Sequence, residues 1–253
     1  MDPRRLESEI ERSRLEARSL TDEDLVLTSK NLGKYTNVPA TATQPLRYAY
    51  HLLGAVKGKV VLDYGCGSGE NSVILSALGA DVIGIDISPD LVEVAEKRMR
   101  TNGLRWDVRA ASAYATGAPD ASFDAVFGVA ILHHLDIEDS AREVHRMLKP
   151  GGIAVFCEPL RDLAALRWLR RIVPIEAREA SDDEYPLTGD HIRRFCSSFE
   201  LLTSRRFSSP WGRLLFRLGN EHHEWLDRLD CWFNENVTGA LAAIEVFRLR
   251  KAP

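Results

Sequence analysis

Val60-Val61-Leu62-Asp63-Tyr64-Gly65-Cys66-Gly67-Ser68-Gly69 decides how the rest of the chain is read. Its aliphatic, β-branched opening reads as a short buried strand. The run stops at an acid and enters a loop with glycine at every second position. Without a Cβ, such a loop can turn sharply and lie close to a ligand. Residues 71–79 follow as a helix whose first N–H groups would face the same ligand. Strand, glycine turn and helix in that order open a nucleotide-type α/β site.

The spacing narrows the choice of ligand. Dinucleotide turns run G-x-G-x-x-G, whereas here the glycines occupy 65, 67 and 69, and Glu70 stands at the sixth position. Asp63, just ahead of the loop, would sit badly beside a pyrophosphate. It suits a cationic ligand, such as one with an ammonium and a sulfonium group. The second strand, 81–86, ends in Asp86, placed to accept hydrogen bonds from both hydroxyls of a ribose, with Ile87 against the adenine face. Ser88 and Pro89 then cap and start a helix. A ribose acid serves NAD(P) enzymes equally, so an NAD(P)-dependent oxidoreductase stays as the alternative, with Asp63 and the glycine spacing against it.

Composition sets the outer bounds. The chain has 253 residues, enough for one elaborated α/β domain, and 33 basic against 37 acidic residues give a net charge of −4. That balance argues against a nucleic-acid partner. The four cysteines (Cys66, Cys157, Cys196 and Cys231) lack metal-ligand spacing and read as reduced thiols of a cytoplasmic protein, so no metal is expected. No apolar run is long enough to span a bilayer, so no integral membrane segment is expected.

Four further motifs follow in order. Residues 105–110 fit a third strand, and Ser122-Phe123-Asp124-Ala125-Val126 opens a fourth, with Phe123 and Val126 as core and Asp124 as structural. The fourth strand ends in Leu132-His133-His134-Leu135, at the carboxyl edge of the sheet where α/β folds bind ligands. Two adjacent histidines could poise a general base near neutral pH, or equally cap the next helix and orient the loop. An amphipathic stretch, 140–148, then turns through Lys149-Pro150-Gly151-Gly152 into a strand closed by Glu158.

In these motifs the stretch 59–159 resembles the class I, Rossmann-like S-adenosylmethionine-dependent methyltransferases, of the UbiE-like small-molecule type. The resemblance implies S-adenosyl-L-methionine as cofactor. Asp63 would organise its methionine end, Gly65, Cys66, Gly67 and Gly69 would give close backbone approach, and Asp86 and Ile87 would hold the adenosine. Ser112, where many members have an acid, Ala113 and Val129 complete the expected cofactor set. His133, with His134 beside it, is the candidate catalytic base.

Outside the motifs the reading is coarser. Residues 2–18 carry Leu6, Ile10 and Leu15 as a thin apolar stripe, and 45–56 reads as a helix stopped by Gly58. In the resembled family this region folds over the site as a lid, and Tyr35 is the candidate lid residue. Residues 188–199 read as helix, 200–207 as strand and 243–251 as a final strand, which the resemblance places reversed within the sheet. Trp211 and His222 fall in an aromatic-rich insertion and, with Glu158, are candidates for the acceptor side. The fold class expected is therefore α/β: a doubly wound, seven-stranded, mostly parallel sheet with helices on both faces. A helical lid would occupy 1–57 and the sheet domain 58–253, with insertions near 160–187 and 208–240. The expected function is methyl transfer to a small, apolar or aromatic acceptor. A non-catalytic S-adenosylmethionine-binding module is the other alternative, and a homodimer is admitted.

Overall fold

The computed structural model describes residues 3–105, 107–160, 187–207 and 244–253. Seven strands form one sheet: β1 (Val60–Tyr64), β2 (Asp81–Asp86), β3 (Val108–Ala110), β4 (Phe123–Val129), β5 (Leu148–Pro159), β6 (Glu200–Phe207) and β7 (Ile244–Arg250). Their spatial order is β3-β2-β1-β4-β5-β7-β6. The first five are parallel, and β7 runs antiparallel between β5 and β6. This is the doubly wound sheet with its reversed last strand that the sequence implied. The order turns back at β1 and β4, and a ligand crevice opens there at the strands' carboxyl ends.

The helices are α1 (Pro3–Ser19), α2 (Ser29–Gly33), α3 (Pro45–Leu53), α4 (Glu70–Ala77), α5 (Pro89–Thr101), α6 (Ile137–Met147) and α7 (Gly189–Cys196). Strand residues alternate between the two faces of a sheet, and each face carries its own core. Leu62, Tyr64, Val126 and Phe156 point to the side covered by α6 and α7, meeting Val144, Met147 and Phe195. Val61, Phe127, Val155 and Val246 point to the other side, meeting Tyr48, Leu52, Val73 and Leu75 of α3 and α4. Burial on both faces explains why the central strands read as unbroken apolar runs.

Several boundaries differ from the sequence reading, each for a local reason. Helix α3 stops at Gly54, which takes φ +70°, not at Gly58, which makes the turn into β1. Strand β3 begins only at Val108, because its pairing with β2 starts at Gly84. Strand β5 already begins at Leu148, and its pairing with β4 slips between Phe123 and Ala125. The Lys-Pro-Gly-Gly stretch is thus an irregularity inside a strand, and Asp124 clamps it by accepting from Lys149 Nζ (2.7 Å) and Val60 N (2.8 Å). On α1, Leu15 is 60% exposed, and the inward face runs through Ile10, Ser13 and Ala17 instead. Five residues turn a helix by about 140°, so Ile10 and Leu15 cannot share a face.

Candidate active site

The glycine loop is fixed from behind. Gly65 N and Cys66 N both donate to Ile85 O, at 2.9 and 2.8 Å. Gly65, Gly67 and Gly69 all have positive φ (+74°, +51° and +80°), but they do different work. A Cβ on Gly65 would stand 2.6 Å from Ile131, and one on Gly69 2.9 Å from Ala95, whereas at Gly67 there is open space. Two of the glycines thus let the loop pack against β4's exit and α5, and Gly67 alone presents bare backbone outward. The Cys66 thiol points the other way, against Gly84, and burial pushes its pKa well above the ordinary thiol value.

Asp86 fastens this loop to the next one. Its carboxylate accepts from Gly67 N and from Ser88 N, each at 2.9 Å. Ile87 beside it is half-buried. Ser112 Oγ accepts from Tyr114 N at 3.2 Å, and Ala113 O accepts from the Tyr64 hydroxyl at 2.7 Å, so both hold their own turn. Asp63 is 1% exposed and accepts from Ser72 Oγ at 2.6 Å. Burial pushes its carboxyl up to about 7, the Ser72 bond opposes this, and the charge of Asp86 adds to it.

Across the crevice, β4 ends at half-buried Val129, and Ala130 turns the chain with φ +54°. That conformation is rare for a side-chain-bearing residue and marks a turn held by its surroundings. What holds it is Glu158. This fully buried carboxylate takes the amides of Ile131 (2.9 Å) and Leu132 (3.0 Å) on Oε1, and its Oε2 lies 3.3 Å from His133 Nδ1. Glu158, singled out above for the acceptor side, is therefore paired with His133. The His133 and His134 rings pack 3.9 Å apart, and Arg12 of α1 reaches to 3.5 Å from His134 Nε2. Since Gly65 abuts Ile131, the glycine loop and this histidine turn are neighbours.

An aromatic cluster stands beside the start of α4. Tyr35 is half-buried and packs 4.6 Å from Tyr50, which packs 5.0 Å from Phe127. The Tyr50 hydroxyl donates to Asn71 Oδ1 (3.0 Å) at the start of α4. Sequence reasoning noted Tyr50 only as part of a helix. Its place follows from the packing of α3 on the sheet. Trp211 and His222 lie outside the described residues.

With this geometry in view, known proteins can be compared. Residues 62–156 match the family described as a methyltransferase domain. The match runs from β1 into β5. A demethylmenaquinone methyltransferase of Tropheryma whipplei (strain Twist) is 35% identical over 144 residues, covering 54% of this chain and 59% of that protein. A ubiquinone biosynthesis O-methyltransferase of Sinorhizobium fredii is 32% identical over 128 residues, covering 46% and 52%. The matched part of the chain thus spans between half and three fifths of these relatives' length. Among solved structures, the geranyl diphosphate C-methyltransferase of Streptomyces coelicolor A3(2) superposes with a TM-score of 0.59 at 14% identity, covering 81% of this chain and 78% of that one. The [4+2]-cyclase SpnF gives 0.57 at 22% identity, covering 81% and 80%. This chain therefore shares its fold with proteins named for two different reactions.

Proposed function

We propose that the protein transfers a methyl group from S-adenosyl-L-methionine to a small apolar or aromatic acceptor that loses a proton as it is methylated. The observation that carries this is the adjacency of the open backbone at Gly67, tied to Asp86, and the His133–Glu158 pair, joined through Gly65 and Ile131. The residues fit the cofactor: Gly67 has room for close approach, Asp86 is a ribose acceptor, and Asp63 is a carboxylate for a cationic end. When bound, this cofactor supplies an electrophilic methyl group on a sulfonium.

The chain's own part is orientation, exclusion of water and one proton. With Glu158 accepting Nδ1–H of His133, the lone pair of that ring sits on Nε2, the nitrogen suited to take a proton from the acceptor. Arg12 is a donor only, so it calls on the Nε2 lone pair of His134. This favours His133 over His134 as the base. Tyr35, half-buried and backed by the buried Tyr50 and Phe127, offers an aromatic face against which an acceptor ring could stack. The relatives named for quinone biosynthesis favour a phenolic or quinol-like ring as acceptor.

The test begins with calorimetric titration of S-adenosylmethionine, S-adenosylhomocysteine and NAD(H), followed by a screen of quinol-type acceptors. Binding of the first two ligands alone is expected, and an NAD(H) response would reverse the assignment. His133→Ala is expected to lower kcat by about 10²–10⁴-fold and to leave S-adenosylhomocysteine affinity within a factor of a few. Undiminished turnover would remove the base role. Cofactor binding with no methyl transfer to any acceptor would favour a use of the fold other than methylation, as the cyclase likeness allows.

A further inference from the structure

Arg98 of α5 is 5% exposed, an uncommon position for a guanidinium, and it points at nothing in the reaction described above. It spans two separate pieces of chain. Its Nε donates to Ser68 O of the glycine loop at 2.8 Å, and one terminal nitrogen donates to Asp24 O at 2.7 Å. The other terminal nitrogen is buried without a hydrogen bond, 3.9 Å from the Glu70 carboxylate at the start of α4. One turn further along, Asn102 accepts from Leu27 N and donates to Leu25 O, both at 2.8 Å. Helix α5 thus grips residues 24–27 with two side chains, of which Arg98 also holds the loop.

We propose that Arg98 is a positioning residue that ties the cofactor loop to the N-terminal segment, so that occupancy of the loop sets the order of residues 22–27. The proposal rests on the cofactor reading above. Ser68 lies between Gly67, the open position of the loop, and Gly69, which starts α4. A ligand that steadies this backbone steadies the Ser68 carbonyl, and Arg98 carries the restraint to Asp24. From there the chain runs through α2 to Tyr35, so the segment that presents this aromatic face is anchored to the cofactor loop. Arginine suits this because a planar fork can address two carbonyls in fixed directions at once, which a lysine ammonium on a flexible stem does not.

Hydrogen exchange on the full chain tests the proposal, with and without saturating S-adenosylhomocysteine. In the wild type the ligand is expected to slow exchange at amides 22–27 as well as at the loop itself. Arg98→Lys keeps the charge but not the fork. It should weaken S-adenosylhomocysteine about tenfold and abolish the ligand-dependent slowing at 22–27. Asn102→Ala should speed exchange at 25–27 equally in both states and preserve the ligand-dependent difference, which separates coupling from mere anchoring. Slowing that persists in Arg98→Lys would overturn the proposal. So would a wild type that binds the ligand with no change at 22–27, a measurement that decides the matter even if the variant fails to fold. A wild type that does not bind S-adenosylhomocysteine at all would remove the cofactor reading and this proposal together.

Discussion

Two buried carboxylates at the crevice have opposite kinds of neighbour, and each yields a prediction. Glu158 is held by two backbone amides and faces His133. In Glu158→Gln the side-chain oxygen can still accept from Ile131 and Leu132, but its NH₂ group then meets Nδ1 as a donor. That imposes the tautomer with the proton on Nε2, the nitrogen needed as base. Turnover should fall nearly as far as in His133→Ala, with S-adenosylhomocysteine affinity retained; steady-state kinetics beside calorimetry checks both halves. Asp63 is buried, and the loss of water around it lifts its pKa to about 7, above the ordinary 3.8. Between those values the folded protein holds a proton that the unfolded chain has released. Stability from this group is thus greatest below the ordinary value, falls as pH rises toward about 7, and stays low above it. Asp63→Asn should flatten that fall and raise the melting temperature at pH 8 by several degrees, while weakening S-adenosylhomocysteine by roughly tenfold through loss of a charged partner for its ammonium group. A melting profile against pH identical to the wild type would refute the buried-charge account.

At the scale of single elements, the glycine loop separates packing from ligand approach. Gly65→Ala forces a Cβ into Ile131 as well as an unfavourable φ, so it should destabilise the fold by about 2–4 kcal/mol and disturb the histidine turn. Gly67→Ala meets open space and pays only for φ +51°, about 1–2 kcal/mol, yet it places a methyl group where a ligand would lie. Thermal unfolding should therefore rank Gly65→Ala as the more damaging, and cofactor titration should rank Gly67→Ala at least as damaging. The reverse order in titration would mean that ligand approaches elsewhere. The sequence showed the loop, its strand and its helix because alternating glycine and apolar periodicity are local signals. It could not divide labour among the three glycines, since that depends on Ile131 and Ala95, which stand 66 and 26 residues further along the chain. Glu158 was legible as an acid at a strand end, but its partnership with His133 required the β4–β5 register that sets Val129 beside Cys157. Arg98 gave no signal at all, being one of several basic residues on an amphipathic helix.

Across the whole molecule, the question is what α1 contributes. Among the described residues, the buried members of both cores on the sheet lie at Val38 and beyond, and none of them belongs to this helix. Its described contacts include polar ones: Ser13 is buried, Arg14 lies 3.6 Å from Asp90, and Arg12 reaches His134. Exposed or half-exposed ion pairs of this kind stabilise by about 0–1 kcal/mol. Removing residues 1–19 should therefore leave a cooperatively unfolding protein whose melting temperature drops by no more than about 5 °C. S-adenosylhomocysteine binding should change by less than about threefold, because the 22–27 segment that Arg98 holds remains in place. Turnover is where the loss should appear. Without Arg12, the His134 ring loses that contact, and the crevice beside His133 opens to water, which weakens every charge-dependent contact inside it. A fall of tenfold or more in kcat/KM for the acceptor, at nearly unchanged stability and cofactor affinity, would place α1 over the reacting groups. Loss of stability and binding in parallel would instead make it part of the structural frame, and unchanged turnover would detach it from the site altogether.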